Sequence, residues 1–368
     1  MVGGGAGSFI GAVHRIAARI DDRFELVAGA FSSDPERSRT SARSLHIPPD
    51  RAYGGYAEMA ACEAARNDRI DVVAVVTPNN SHVAICRVFL ERGIPVICDK
   101  PLATSLDDAR VLREVVHASG LPFVLTHNYS GYPMVREARA LVAAGALGAV
   151  RVVQVEYAQD WLATDLEATG QKQAAWRTDP SRSGPAGSVG DIGTHAYHLA
   201  RFVTGLRVES LLADLSTFVH GRRLDDDARV LLRFDNGARG ALWCSQVAIG
   251  HENGLRLRVF GEHGGLDWSQ EHPNQLRVTR LGEASRVLYR GLGGLSEQAD
   301  RATRIPAGHP EGYLEGFAQI YADAADLLQG HGAPDGLPGI EDGVAGVAFI
   351  EAVVASGRGG GIWTSLGG

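Results

Sequence analysis

Short, near-continuous apolar runs separated by helical patterns most constrain how this chain can fold. Residues 24–31, 72–76, 95–98 and 123–125 read as strands, with helices over 13–20, 35–45, 82–91 and 106–117. The runs do not alternate with polar residues, so both faces must be covered, as in parallel strands under crossover helices. Ser105 followed by Asp108 starts the last helix as a capping-box variant. Such alternation builds a doubly wound parallel sheet, whose ligands bind beyond the carboxyl ends of its strands.

That rule selects particular loops. Gly3-Gly4-Gly5-Ala6-Gly7-Ser8-Phe9-Ile10-Gly11 follows the first strand, Thr77-Pro78-Asn79-Asn80-Ser81-His82 the third, and Asp99-Lys100-Pro101 the fourth. Glycines let backbone approach phosphate oxygens, and the helix that follows adds amides and a dipole. The loop departs from GxGxxG because the closing glycine is delayed to Gly11; taken alone, it also reads as a tight turn. Only Met1 and Val2 precede it, fewer than the about five or six residues of a usual strand, so a few N-terminal residues are expected to be missing. At the tip of the second strand, Ser32 and Ser33 stand where an acidic residue would hold the ribose hydroxyls of NAD, and Arg37 and Arg39 follow. Both NAD and NADP fit this tip, since Ser33 or Asp34 also suits capping of the helix that Pro35 begins.

Beyond about residue 130 the pattern changes. Residues 133–143 read as a helix ended by Gly145. Residues 150–157, 211–218, 228–234, 238–245, 255–260 and 275–280 read as strands, and Asp235-Asn236-Gly237 as a hairpin turn. This succession points to an α+β domain with a large, mostly antiparallel sheet, one face of it open to a partner subunit. Helices over 313–328 and 339–354 return near the end. Two domains are expected, 1–130 and 131–368, which suits a chain of 368 residues.

The second domain carries Trp176-Arg177 and Gly190-Asp191-Ile192-Gly193-Thr194-His195. On a helix, Asp191 and His195 would share one face, where a carboxylate can orient an imidazole and stabilise its protonated form. A surface pair is the bland alternative; the glycines before the pair and the apolar helix after it favour a site. With Lys100, these residues supply a proton acceptor and a cation, a set suited to hydride chemistry on an alcohol. His198 reads as structural or substrate-lining. His309-Pro310-Glu311-Gly312-Tyr313 reads as a helix start, or as a loop touching substrate through His309. Trp161 reads as core, and Trp176 as core or as a stacking platform for a sugar.

The net charge of −7, without a Lys/Arg-rich run, argues against a nucleic-acid surface. No apolar stretch approaches the ~18 residues of a membrane span, and no secretion signal is visible. Cys62, Cys86, Cys98 and Cys244 lack CxxC spacing and read as buried free thiols in a reducing cytoplasm, without a metal site.

Taken in order, these motifs (the glycine-rich loop with His14 on its helix, Thr77-Pro78-Asn79-x-x-His82, Asp99-Lys100-Pro101, Trp176-Arg177 and Gly190-Asp191-x-x-x-His195) resemble the glucose–fructose oxidoreductase, inositol dehydrogenase and rhizopine catabolism family. The resemblance spans nearly the whole chain. It implies a Rossmann domain before an open-sheet domain, NAD or NADP as cofactor, and hydride transfer at a ring hydroxyl of a sugar, glycoside or cyclitol. It also implies homodimers or homotetramers formed through the open sheet. Lys100, Asp191 and His195 would be catalytic: His195 removes the hydroxyl proton, Asp191 holds the imidazole, and Lys100 stabilises the reacting oxygen. The family's lysine follows a glutamate, and here Asp99 replaces it. Cofactor contacts are expected at Gly3, Gly5, Gly7, Ser8, Phe9, Ile10, Ser32, Ser33, Arg37, Thr77, Pro78, Asn79, His82, Asp99, Lys100, Asn128, Trp176 and Arg177. Substrate contacts are expected at Lys100, Tyr129, Asp191, His195 and His309. Gly7–Gly11 with Val13-His14-Arg15 is similar to a subgroup that includes enzymes oxidising the C3 hydroxyl of glycosides. Two other readings belong to the same fold. One is a reductase of keto-sugars or other carbonyls; the other is a non-catalytic nucleotide-binding regulator, which would not need the Lys/Asp/His set.

Overall fold

A computed structural model of the protein describes residues 1–366. The chain divides into two compact units, Met1–Asn128 with Phe317–Val344, and Tyr129–Gly316 with the residues from Ala345 onward. Residues 317–344, assigned to the second domain from the sequence, thus fold with the first unit.

The first unit holds a parallel sheet of β1 (Val2–Gly3), β2 (Val73–Val76), β3 (Val96–Cys98) and β4 (Phe123–Leu125), in that spatial order. Helices Phe9–Ile20, Pro35–Ser44, Tyr56–Ala64, His82–Leu90 and Leu106–Ser119 occupy the connections. Every residue of β3 and β4 is buried, as apolar runs covered on both faces require. Ser105 caps its helix as expected, its Oγ accepting from the Asp108 N–H at 3.2 Å. Helix Tyr56–Ala64 escaped the sequence reading because its alanines favour helix without drawing an apolar stripe.

The strand expected over 24–31 is reduced to two isolated bridges, Val2 with Ala30 and Gly29 with Ala52. The backbone still pairs there: the Ala30 N–H donates to Met1 O at 3.0 Å and the Gly3 N–H to Ala30 O at 2.9 Å. β1 consists of Val2 and Gly3 alone, and the chain turns at Gly3 with φ 81°, so the ladder stops there.

The second unit is built on nine strands: β5 (Val150–Ala158), β6 (Val208–Ser216), β7 (Asp227–Phe234), β8 (Arg239–Ser245), β9 (Gly254–Gly261), β10 (Gly264–Ser269), β11 (Gln275–Arg280), β12 (Arg286–Tyr289) and β13 (Thr364–Ser365). Their order is β12-β11-β10-β9-β5-β8-β7-β6-β13. β5 and β8 run parallel, and the other neighbours are antiparallel. Asp235-Asn236-Gly237 makes the β7–β8 turn, with Gly237 at φ 88° and Asn236 Oδ1 accepting from the Ala238 N–H. β10 was hidden by its glycines. A Cβ on Gly264 would come within 2.6 Å of Thr279 O, so close strand approach demands glycine where propensity argues against a strand.

One face of this sheet buries Val153, Val155, Leu242, Leu257, Leu266 and Trp268 in a core shared with helices Pro133–Ala143 and Thr194–Thr204. On the opposite face Val152, Leu231 and Phe260 are exposed, beside the Arg256–Asp267 ion pair at 2.6 Å. Among the described residues no helix is long and apolar enough to cross a membrane. All four cysteines are free thiols; Cys62, expected to be buried, is exposed on the helix that the sequence reading missed.

Candidate active site

In the first unit, parallel pairing puts the loops after β1, β2, β3 and β4 on one edge of the sheet. The glycine loop is shaped as a phosphate cradle. Gly3, Gly4 and Gly7 have φ of 81°, 73° and 75°, a region that side chains disfavour. A Cβ on Gly5 would lie 2.6 Å from Phe31 O. Ser8 caps helix Phe9–Ile20, its Oγ accepting from the Gly11 N–H, and no acidic residue sits in that helix's first turn to oppose an anion. The delayed Gly11 has a packing reason: a Cβ there would meet Gly4 Cα at 2.3 Å. Gly11→Ala is therefore expected to destabilise the protein by about 1–3 kcal/mol through overpacking and to weaken dinucleotide binding. Thermal melting and cofactor titration check both effects.

At the tip of the second segment, Asp34 takes the capping role, accepting from the Arg37 N–H at 2.8 Å, while Ser33 and Arg37 are exposed. After β2, His82 braces two loops rather than projecting from one. Its Nδ1 lies 2.8 Å from Pro101 O and its Nε2 2.8 Å from Thr77 O. Burial pulls its pKa down against the pull of Asp99, so the ring donates through one nitrogen at a time. After β3, Asp99 is buried, and its Oδ1 accepts from the Lys100 N–H at 2.9 Å and from Thr126 Oγ1 at 3.0 Å. The Lys100–Pro101 peptide is cis. After β4, Asn128 is buried with its Nδ2 lacking a partner among the described residues, a donor left for a ligand. The cradle, the capped helix and this donor fit a nicotinamide dinucleotide.

In the second unit, the segment before His195 is a π-turn, Val189–Gly193, leading into helix Thr194–Thr204. Such turns re-aim side chains and recur at functional sites. Asp225 anchors it: the buried carboxylate accepts from the Gly187 N–H (2.7 Å), Ser188 Oγ (2.7 Å) and the Val189 N–H (2.9 Å). A Cβ on Gly193 would press on Cys244 Sγ at 3.0 Å. Asp191 Oδ2 accepts from Arg177 Nε at 3.2 Å and Gln246 Nε2 at 2.9 Å. The Arg177 guanidinium lies 4.3 Å above the Trp176 ring and 5.8 Å from that of Trp161. Trp161, read as core, is instead half-buried. Trp176 and Arg177, expected at the cofactor, are thus brought to Asp191.

His195 is buried, edge-on to Tyr129 at 5.0 Å and tilted to Tyr157 at 6.2 Å. The Tyr157 hydroxyl donates to Asn253 Oδ1 at 2.7 Å, so its bond with Tyr129 must be donated by Tyr129. Asn253 Nδ2 returns a bond to the Tyr129 oxygen at 3.4 Å, and Gln159 Nε2 also donates to Asn253 Oδ1, at 2.7 Å. Burial pushes Tyr129 up to about 12, and Tyr157 well above the usual phenol range, so both stay neutral. The hydroxyl proton of Tyr129, a residue expected at the substrate, therefore goes to Tyr157. His309 is exposed. Its loop is held by Arg290, which bonds Glu311 Oε1 (2.8 Å), Ile305 O (2.6 Å) and Asn274 Oδ1 (2.7 Å). His198 is pulled down to about 3 by burial, with Arg201 and Arg139 adding to it, and stays neutral.

The sequence reading missed Gln246, Tyr157, Asn253 and Gln159. Parallel pairing of β5 and β8 sets Gln159 and Gln246 side by side past their carboxyl ends, and antiparallel pairing of β5 with β9 brings Asn253 to Tyr157 and Gln159. One signal passed over lies in the composition. Of 36 basic residues, only Lys100 and Lys172 are lysines. An ammonium is kept at Lys100 in a chain that otherwise uses guanidinium.

Comparison with known proteins agrees with both halves. Residues 1–138 match the oxidoreductase family with an NAD-binding Rossmann fold, and residues 135–267 match the GFO/IDH/MocA C-terminal domain. The chain is 52% identical to an oxidoreductase from Sinorhizobium meliloti, with a TM-score of 0.90 over 99% of this chain and 98% of that one. An inositol dehydrogenase homologue from Azotobacter vinelandii, solved with NADH and myo-inositol, is 39% identical, with a TM-score of 0.92 over 99% and 96%. An uncharacterized oxidoreductase of Bacillus subtilis, YfiI, is 35% identical over 100% of this chain and 96% of its own. With both halves matched in order and a relative aligned from end to end, the chain belongs to the GFO/IDH/MocA family, as an oxidoreductase with an NAD-binding Rossmann half.

Proposed function

We propose that this protein oxidises a ring hydroxyl of a cyclitol or sugar with NAD. The observation that carries the reading is the buried imidazole of His195, set one turn beyond an Asp191 whose carboxylate is held by Arg177 and Gln246. A secondary alcohol does not give up its proton to water at neutral pH, so a base must take it as the carbon–hydrogen bond is lost. His195 accepts that proton. Asp191 favours the imidazolium that results and keeps the ring oriented. Lys100 donates to the same oxygen and stabilises the charge that develops there. The Gly3–Gly7 loop and the amides of helix Phe9–Ile20 would hold the pyrophosphate of NAD, which would supply the hydride acceptor.

The reading includes a second copy of the chain against the open face of the nine-stranded sheet, where Val152, Leu231 and Phe260 are exposed. It also includes a cytoplasmic location, consistent with four free thiols. A panel of cyclitols, aldoses and glycosides, each with NAD and with NADP, tests it by the absorbance of the reduced cofactor. NAD reduction with at least one cyclitol or sugar is expected. Turnover only of carbonyl substrates outside the sugars and cyclitols, or none with any member in either direction, would contradict it.

A further inference from the structure

A buried imidazole that the proposed reaction does not use stands behind Lys100. His14 is 0% exposed on helix Phe9–Ile20, and its ring packs on Phe317 at 5.0 Å and Tyr321 at 5.8 Å. Its Nδ1 lies 2.8 Å from the Tyr321 hydroxyl, and its Nε2 lies 3.9 Å from Asp99 Oδ1. Burial pushes the Tyr321 phenol up, and the Asp99 charge adds to this, so the hydroxyl keeps its proton. Nε2 faces the Asp99 carboxylate, which favours an N–H there over a lone pair; Nδ1 then accepts the Tyr321 proton.

The same Asp99 oxygen receives the Lys100 N–H and the Thr126 hydroxyl. The carboxylate therefore fixes the backbone from which the Lys100 side chain starts and sets a negative charge beside it. The ionisable groups around it are His14, Tyr321 on helix Tyr313–Leu328, His82 on helix His82–Leu90, Lys100 and Cys98. Burial would raise this carboxyl; His14, Lys100 and His82 outweigh burial and hold it at about 2. His82 already lies between two carbonyls, and Thr126 is neutral, so the buried Nε2 of His14, 3.9 Å away and without a hydrogen-bond partner among the described residues, is the remaining nitrogen that faces Asp99.

The geometry points to His14 and Tyr321 as positioning residues for the Lys100 ammonium, acting through Asp99. This rests on the reading of Lys100 as the donor to the reacting oxygen.

His14→Phe keeps the ring against Phe317 and deletes both nitrogens. It is expected to lower kcat about 10–100-fold through misplacement of Lys100, with NAD affinity little changed. Asp99 is ionised throughout the working range in the native protein, because its carboxyl titrates far below neutrality. Without His14, the balance tips toward burial and the carboxyl protonates at higher pH. A second inflection in kcat/KM, absent from the native profile, should then appear on the acid side of the one set by His195. Tyr321→Phe removes only the hydroxyl that donates to Nδ1 and should shift both readings the same way, less far.

A third reading needs no turnover. The chain has two lysines, so trace acylation followed by peptide mass spectrometry reports Lys100 against Lys172 as an internal reference. A less constrained Lys100 should label several-fold faster in His14→Phe. If that variant does not fold, Tyr321→Phe decides on the same readings. Native kcat, pH profile and Lys100 labelling in a folded variant would overturn the inference. If Lys100→Ala keeps native turnover, the reading of Lys100 fails with it. An inactive Lys100→Ala beside a native-like His14→Phe overturns this inference alone.

Discussion

His195→Ala is expected to lose about 10²–10⁴ of kcat on the true substrate while still binding NAD. The loss is large because the oxygen's proton must leave with the hydride, and the ionisable groups described near His195 are committed elsewhere. Asp191 is engaged by Arg177 and Gln246. Tyr129 and Tyr157 are locked in a closed ring with Asn253 and held neutral by burial. His198 is neutral, but burial disfavours the charged form that proton uptake would create. Truncation at His195 leaves a hollow against the Tyr129 ring, which imidazole added to the assay could fill; partial recovery of rate by imidazole would separate a lost base from a distorted fold. Near-native turnover of His195→Ala would show that the base lies elsewhere.

Lys100→Met is expected to cost about 10²–10³ in kcat, and Lys100→Arg should not restore it. Methionine keeps the length and the apolar stem but cannot donate to a developing alkoxide. Arginine keeps the charge, but spreads it over a planar fork larger than an ammonium, on a backbone already fixed by Asp99. The composition bears on this directly. A chain that uses arginine at nearly every basic position retains lysine here, next to a buried carboxylate. Steady-state kinetics of the two variants beside a cofactor titration checks the pair of expectations. Full activity in Lys100→Arg would mean that charge alone suffices.

The legible parts of this molecule are those written in local sequence. Apolar runs located β2, β3 and β4 because burial on both faces leaves no polar residue to blur them. Helix Pro133–Ala143, the Asp235–Gly237 turn and the Ser105 cap were readable from propensity, turn chemistry and spacing. β10 was not, because Gly264 and Gly265 answer to the crowding of neighbouring strands and not to strand propensity. Nor was the return of residues 317–344 to the first unit, which only tertiary contact defines.

The candidate site divides in the same way. Lys100, Asp191 and His195 stand out in short motifs, whereas the residues that hold them come from distant segments. Gln246 reaches Asp191 across 55 positions and Asn253 reaches Tyr129 across 124, both brought in by sheet pairing. The four-residue spacing of Asp191 and His195 was read as plain α-helix; the π-turn between them was invisible, since two glycines there signal flexibility without naming the turn.

The kinetic test that bears hardest on the proposal combines Lys100→Met and His195→Ala in one chain. If both side chains act on one oxygen in one transition state, removing the second should cost little once the first is gone. The double variant is then expected to be no more than a few-fold slower than the slower single variant. Losses that multiply in full would place the ammonium and the imidazole in separate steps, and the proposed chemistry would be wrong.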